Sequence, residues 1–218
     1  MPGMAYQPDF PRLLTVGSRY HTDKAEYVVE RHRLADVVLP TGRIVGCDPL
    51  TCDDAEAFNV TVPPGSYPAW AWVAVLLKDD GQEWQRRVAA LQLEVGGGDP
   101  VRWDLAIIDG QDPAELGENQ FFGYGVDAGT GTLIDESAAR LIGQWEWDQQ
   151  EEVFVPNPYP EMPVPGSITA VIDDTTGANV VSVTSGWGDG CYPTFIGYDA
   201  SGNITSFVTD FCVVPRNP

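Results

Sequence analysis

Nine consecutive apolar residues, Ala69-Trp70-Ala71-Trp72-Val73-Ala74-Val75-Leu76-Leu77, end abruptly at Lys78-Asp79-Asp80-Gly81. The run is too short to cross a bilayer, which takes about 20 apolar residues as a helix. It also lacks the polar side that a half-buried strand or a surface helix keeps. A strand buried on both faces satisfies both constraints. The 23 glycines and 18 prolines of the 218-residue chain add that many short elements are joined by turns.

Strand signals recur on either side of this run. Val37-Val38-Leu39, Pro40-Thr41-Gly42 and Arg43-Ile44-Val45-Gly46-Cys47 read as a strand, a turn and a returning strand, closed by Asp48-Pro49. Phe58, Val60 and Val62 alternate with polar residues, and Pro63-Pro64-Gly65 breaks the chain. The segment 83–95 fits both a helix and a strand, and its place between strand-like runs favours strand. Residues 101–108 read as a further strand. Residues 167–172, 180–184, 194–198 and 204–208 read as an antiparallel meander, turning at Asp199-Ala200-Ser201-Gly202-Asn203.

One helix is predicted over 136–147, with Asp135 as N-cap and Ala138, Leu141, Ile142 and Trp145 on one face. Residues 149–165, with five prolines, read as an acidic loop inside one domain. Residues 1–26 read as a loosely structured lead-in, and 27–218 as a single β-rich domain. The fold expected is mainly β, α+β at the margin: an antiparallel sandwich or distorted barrel with one helix.

Charge limits the partners. With 32 acidic and 12 basic residues the net charge is −20, so a phosphate backbone or an anionic membrane surface is repelled. A basic protein or a cation is the partner such a surface attracts, while scattered acid also serves plain solubility. The first twenty residues lack the apolar core of a signal peptide, so a cytoplasmic protein is expected. Cys47, Cys52, Cys191 and Cys212 form no C-x-x-C pair and have no histidine nearby in sequence. They read as small buried hydrophobes in a reducing compartment rather than as zinc ligands.

Two glycine-threaded acidic segments hold most of the candidate site: Gly123-Tyr124-Gly125-Val126-Asp127-Ala128-Gly129 and Ser185-Gly186-Trp187-Gly188-Asp189-Gly190-Cys191-Tyr192. Asp210 ends the last strand. If these regions adjoin, Asp127, Asp189 and Asp210 can share a Ca²⁺ or Mg²⁺ ion or divide acid and base roles, with Tyr124 or Tyr192 assisting. Each aspartate is also explained by turn or capping duty, because Asp beside Gly bonds the backbone two residues on. Trp187 can stack on a sugar or fill a core. No nucleophile elbow and no phosphate-binding glycine loop occurs, and both histidines, His21 and His32, lie far from these segments in sequence.

Four stretches resemble a bacterial family known only as domain of unknown function 4241. They are Leu39-Pro40-Thr41-Gly42-Arg43-Ile44-Val45-Gly46-Cys47-Asp48-Pro49-Leu50, Pro64-Gly65-Ser66-Tyr67-Pro68, the segment at 123–129, and the span from Ser185 through Tyr192 to Thr209-Asp210-Phe211. The resemblance implies a single bacterial domain and adds Asp48 and Tyr67 to the candidate positions. It carries no activity. Three classes of function therefore stand open. The first is a non-enzymatic acidic binding protein for a basic partner, as an immunity protein is for a nuclease toxin, needing no cofactor. The second is a metal-dependent hydrolase or cation-binding domain, and the third a carbohydrate-binding module.

Overall fold

The computed structural model describes residues 5–215. Helix α1 (Phe10–Leu13) and strand β1 (Arg19–His21) come first, followed by β2 (Glu26–Leu39), β3 (Arg43–Cys47) and β4 (Ala57–Thr61). Next are β5 (Gly65–Leu77), β6 (Glu83–Glu94), β7 (Arg102–Leu105), β8 (Tyr124–Val126) and β9 (Thr130–Asp135). Helices α2 (Glu136–Ile142) and α3 (Trp147–Phe154) precede β10 (Ile168–Asp173), β11 (Ala178–Thr184), β12 (Gly190–Tyr192), β13 (Thr194–Tyr198) and β14 (Ile204–Asp210).

The strands form two packed antiparallel sheets and a short ribbon. The larger sheet is curled and runs β1-β2-β5-β6-β14-β13-β7, while the smaller runs β10-β11-β9-β3-β4. The ribbon pairs β8 with β12. The mainly β antiparallel architecture is as expected.

Period-two alternation sorts the side chains of the smaller sheet onto two faces. Ile44, Leu133, Val181 and Val183 join the core between the sheets. Val45, Ile134 and Val180 point the other way, under Ala138, Ile142 and Phe154 of the two helices. In β5, residues 71–76 are all buried, because the smaller sheet covers one face and the N-terminal segment helps to cover the other. The apolar run that dominates the sequence is thus the centre of the molecule.

Four readings change. The strand after Pro40-Thr41-Gly42 does not return on β2: β3 crosses to the smaller sheet and pairs with β9 and β4. The last four strands are not one meander but two hairpins, β10–β11 in the smaller sheet and β13–β14 in the larger. Local alternation cannot tell these arrangements apart, since a strand's partner is chosen by the whole sheet.

The predicted helix over 136–147 stops at Ile142, and a second helix begins at Trp147 and runs to Phe154, into the stretch 149–165 read as a loop. A Cβ at Gly143 would lie 3.2 Å from the Asp53 backbone, so the chain turns there beside the loop that follows β3. Finally, the lead-in is not loose over its described part. Tyr6, Phe10, Leu13 and Tyr20 are buried, β1 pairs with β2, and Phe10 stacks on Trp103 with ring centroids 4.0 Å apart.

Candidate functional site

The two glycine-threaded segments do meet. In the ribbon, Tyr124 faces Tyr192, Gly125 faces Cys191 and Val126 faces Gly190. Ser185 N–H donates to the Gly129 carbonyl at 2.9 Å just beyond it. Glycine is required where backbone passes over backbone: a Cβ at Gly123 would stand 2.5 Å from the Tyr192 carbonyl oxygen. Asp127 and Asp189 follow and precede the last paired position, and both are exposed on this lobe.

The second turn is held by its own bonds. The Tyr192 hydroxyl donates to the Ser185 and Gly188 carbonyls at 3.0 and 2.7 Å, and Ser185 Oγ donates to Gly188 at 2.8 Å. Tyr192 is therefore buried as a brace, and burial raises its pKa. Trp187 stays half exposed with the Arg87 guanidinium 4.8 Å from its ring centroid.

Asp48 is fully buried at the end of β3. Its Oδ1 accepts from Leu50 N–H at 3.0 Å and its Oδ2 from Ala128 N–H at 2.7 Å, so it ties the first acidic turn to the smaller sheet. Burial raises its pKa, against the lowering effect of these backbone donors. Tyr124 lies flat against the same sheet. A Cβ at Gly46 would sit 2.7 Å from its ring, and one at Gly131 2.9 Å from its hydroxyl, so two strand glycines make the slot it fills. Desolvation holds its phenol well above the usual range.

The remaining candidates are elsewhere. Tyr67 is on β5 opposite Val37, with its hydroxyl on the Pro63 carbonyl at 2.5 Å. Asp210 is buried, accepts from the Tyr6 hydroxyl at 2.5 Å and the Cys212 N–H at 2.9 Å, and faces the N-terminal segment. Its neighbour Thr209 points the opposite way, to Thr194 at 2.8 Å. The three aspartates expected around a cation are thus divided between an exposed lobe and a buried face. Among the described residues no three His, Cys, Asp or Glu side chains are grouped as metal ligands. The cysteines divide as well: Cys47 and Cys52 are buried as expected, whereas Cys191 and Cys212 are exposed.

What the ribbon borders is a cleft of about 510 Å³ between the loop after β3 and the first acidic turn. Phe58, Tyr124, Ala106 and Ile108 supply apolar lining; Asp53, Asp54, Glu56 and Asp127 supply four carboxylates. Among the described residues no lysine, arginine or histidine lines it. Its one thiol, Cys47, is held well above the ordinary pKa by a hydrogen bond with Cys52 and by burial, which leaves little thiolate for attack. Such a cleft, apolar within and acidic around it, has the chemistry that suits a protonated amine or guanidinium on an apolar stem. Only Tyr124 and Asp127 of the sequence candidates line it. The signal for the others was the acidic run Asp53-Asp54-Ala55-Glu56, readable as charge but not as a rim until β3 and β8 are brought together.

A search of curated proteins gave no match, and a search of solved structures gave none. No described helix is long and apolar enough to cross a membrane. Residues 37–209, a span holding both sheets' central strands, the ribbon and the cleft, match the family described as "Protein of unknown function (DUF4241)", and the chain belongs to that family.

Proposed function

We propose that this is an acidic binding protein whose cleft between Asp53-Asp54-Ala55-Glu56 and Asp127 takes a basic side chain of a protein partner. The observation that supports it is the coincidence, in one cleft of about 510 Å³, of four carboxylates with an aromatic floor and, among the described residues, no compensating cation. The net charge of −20 extends the same attraction over the surface and speeds encounter with a cationic partner. An immunity-type role, in which an acidic surface blocks a basic toxin, is one member of this class.

The test is fluorescence anisotropy with a labelled arginine-rich peptide against the full chain. Binding is expected to weaken about tenfold or more in the triple variant Asp53→Asn/Asp54→Asn/Glu56→Gln, because each lost pairing removes on the order of 0.5–1 kcal/mol. A control variant, Asp173→Asn/Asp174→Asn/Asp199→Asn, removes the same charge from turns of other hairpins and should bind almost as the wild type does. Equal loss in both variants, or none in the triple, would reduce the attraction to bulk charge and sink the cleft as its site.

A further inference from the structure

A second cavity, of about 490 Å³, opens on the outer face of the larger sheet. That face is built by alternation across four strands. Arg31 of β2 is opposite Trp72 of β5, Trp70 is opposite Gln92 of β6, and Glu94 is opposite Ser206 of β14. The far wall is the Phe10–Trp103 stack, with the loop at 96–100 as rim.

The polar groups of this wall are committed in a telling order. Glu94 accepts from Arg31 at 2.6 Å and from the Trp70 indole at 2.7 Å, so its carboxylate is occupied and the Arg31 charge is neutralised. The Arg31 guanidinium also lies 3.7 Å from the Trp70 ring centroid. Gln92 accepts from the Trp72 indole at 2.8 Å, and its amide N–H groups have no protein partner among the described residues. Two polar atoms of lining residues, Arg31 Nε and Ser206 Oγ, are buried with no partner among the described residues, the latter on a residue only 2% exposed. An unpartnered buried polar atom is destabilising, and here two of them belong to residues that line one cavity.

We infer that this cavity binds a small, neutral, hydroxyl-rich ring of the size of a mono- or disaccharide, with Ser206, Gln92 and Arg31 as its hydrogen-bonding set. Neutrality follows from the satisfied Arg31–Glu94 pair and from Asp99 at the rim, which disfavours an anion. A sugar offers acceptors to the unused donors and a donor to the Ser206 oxygen, while its C–H faces suit Phe10, Leu14, Trp72 and Trp103. The volume lies within the usual range for small-ligand sites, about 300–1,000 Å³. The Ser206 hydroxyl is buried in the free protein, so the assignment requires its side chain to turn toward the cavity when the ligand enters.

The experiment is a set of ¹H–¹⁵N spectra of the full chain, titrated with neutral mono- and disaccharides in one arm and nucleosides in the other. A sugar that binds here is expected to shift the Trp72 and Trp103 indole N–H signals. Ser206→Ala should weaken that binding about tenfold while leaving stability unchanged or raised, since it deletes an unpartnered hydroxyl. Trp187→Ala, at the exposed tryptophan of the ribbon, should bind as the wild type. Loss in Trp187→Ala with retention in Ser206→Ala would move the sugar to the other lobe and overturn the assignment. Indole shifts with nucleosides alone, or with no ligand at millimolar concentration, would overturn it as well.

Discussion

At the scale of single residues, the candidate positions divide by what their polar atoms already do. Asp48 and Tyr192 are occupied in bracing turns, whereas Asp127 and Asp189 are exposed. Asp48 is the sharper case, because a carboxylate with no solvent exposure is held, among the described residues, by backbone N–H groups alone. Asp48→Asn turns an amide NH₂ toward one of those donors and is expected to cost about 1–3 kcal/mol by urea unfolding. Its pH dependence has a defined sign. The native carboxyl titrates above its ordinary value of 3.8, so the folded state holds the proton more tightly than the unfolded chain does. That contribution is complete below 3.8 and is lost as pH rises through the native pKa. The margin of wild type over Asp48→Asn should therefore be largest in acid and shrink toward neutral pH. A margin that grew with pH would mean the backbone donors outweigh burial.

At the scale of elements, one buried carboxylate joins a helix to the crossover after β2, where the turn residues alone predict a hairpin. Asp135 caps α2 by accepting from Ser137 N–H at 2.9 Å and its hydroxyl at 2.6 Å. Its other oxygen takes the Thr41 N–H and hydroxyl at 3.0 and 2.9 Å, which fixes the turn where the chain leaves the larger sheet. Asp135→Ala should thus cost about 2–4 kcal/mol in urea, against about 1 for an ordinary cap. A loss near 1 would show that the Thr41 contacts contribute little. The cap was legible from the residue type before an apolar helical face, and the strands from their alternation. The crossover was not, because Pro40-Thr41-Gly42 has hairpin chemistry and only the distant Asp135 and Asn179 say otherwise. Asn179 of β11 accepts from Val38 N–H and donates to the Asp36 carbonyl, both at 2.8 Å, so it bonds the end of β2 to the opposite sheet. The cleft was half legible for the same reason: Tyr124 and Asp127 stood out locally, while the Asp53–Glu56 rim acquires meaning only through β3.

At the scale of the whole molecule, charge acts on folding and on binding with opposite signs. Arginines at 19, 31, 33, 43, 86, 102 and 140 are in ion pairs, so most of the scarce positive charge is already matched and the excess carboxylates face one another across solvent. A net charge of −20 on a compact chain is self-repulsive, and compactness concentrates it. Salt shortens the reach of that repulsion from about 10 Å at 0.1 M to about 3 Å at 1 M. Raising sodium chloride should accordingly raise the melting temperature by about 2–4 °C for each kcal/mol of repulsion relieved. The same salt screens the attraction between the acidic cleft and a cationic peptide, so affinity should fall over the range in which stability climbs. Calorimetry and anisotropy on one sample series measure both. Loss of binding through unfolding would move the two together, which makes opposed slopes diagnostic of charge at a folded site. If the melting temperature stayed flat or dropped with salt, the surface carboxylates would have to be locally compensated, and the attraction proposed for a basic partner would lose its long-range part.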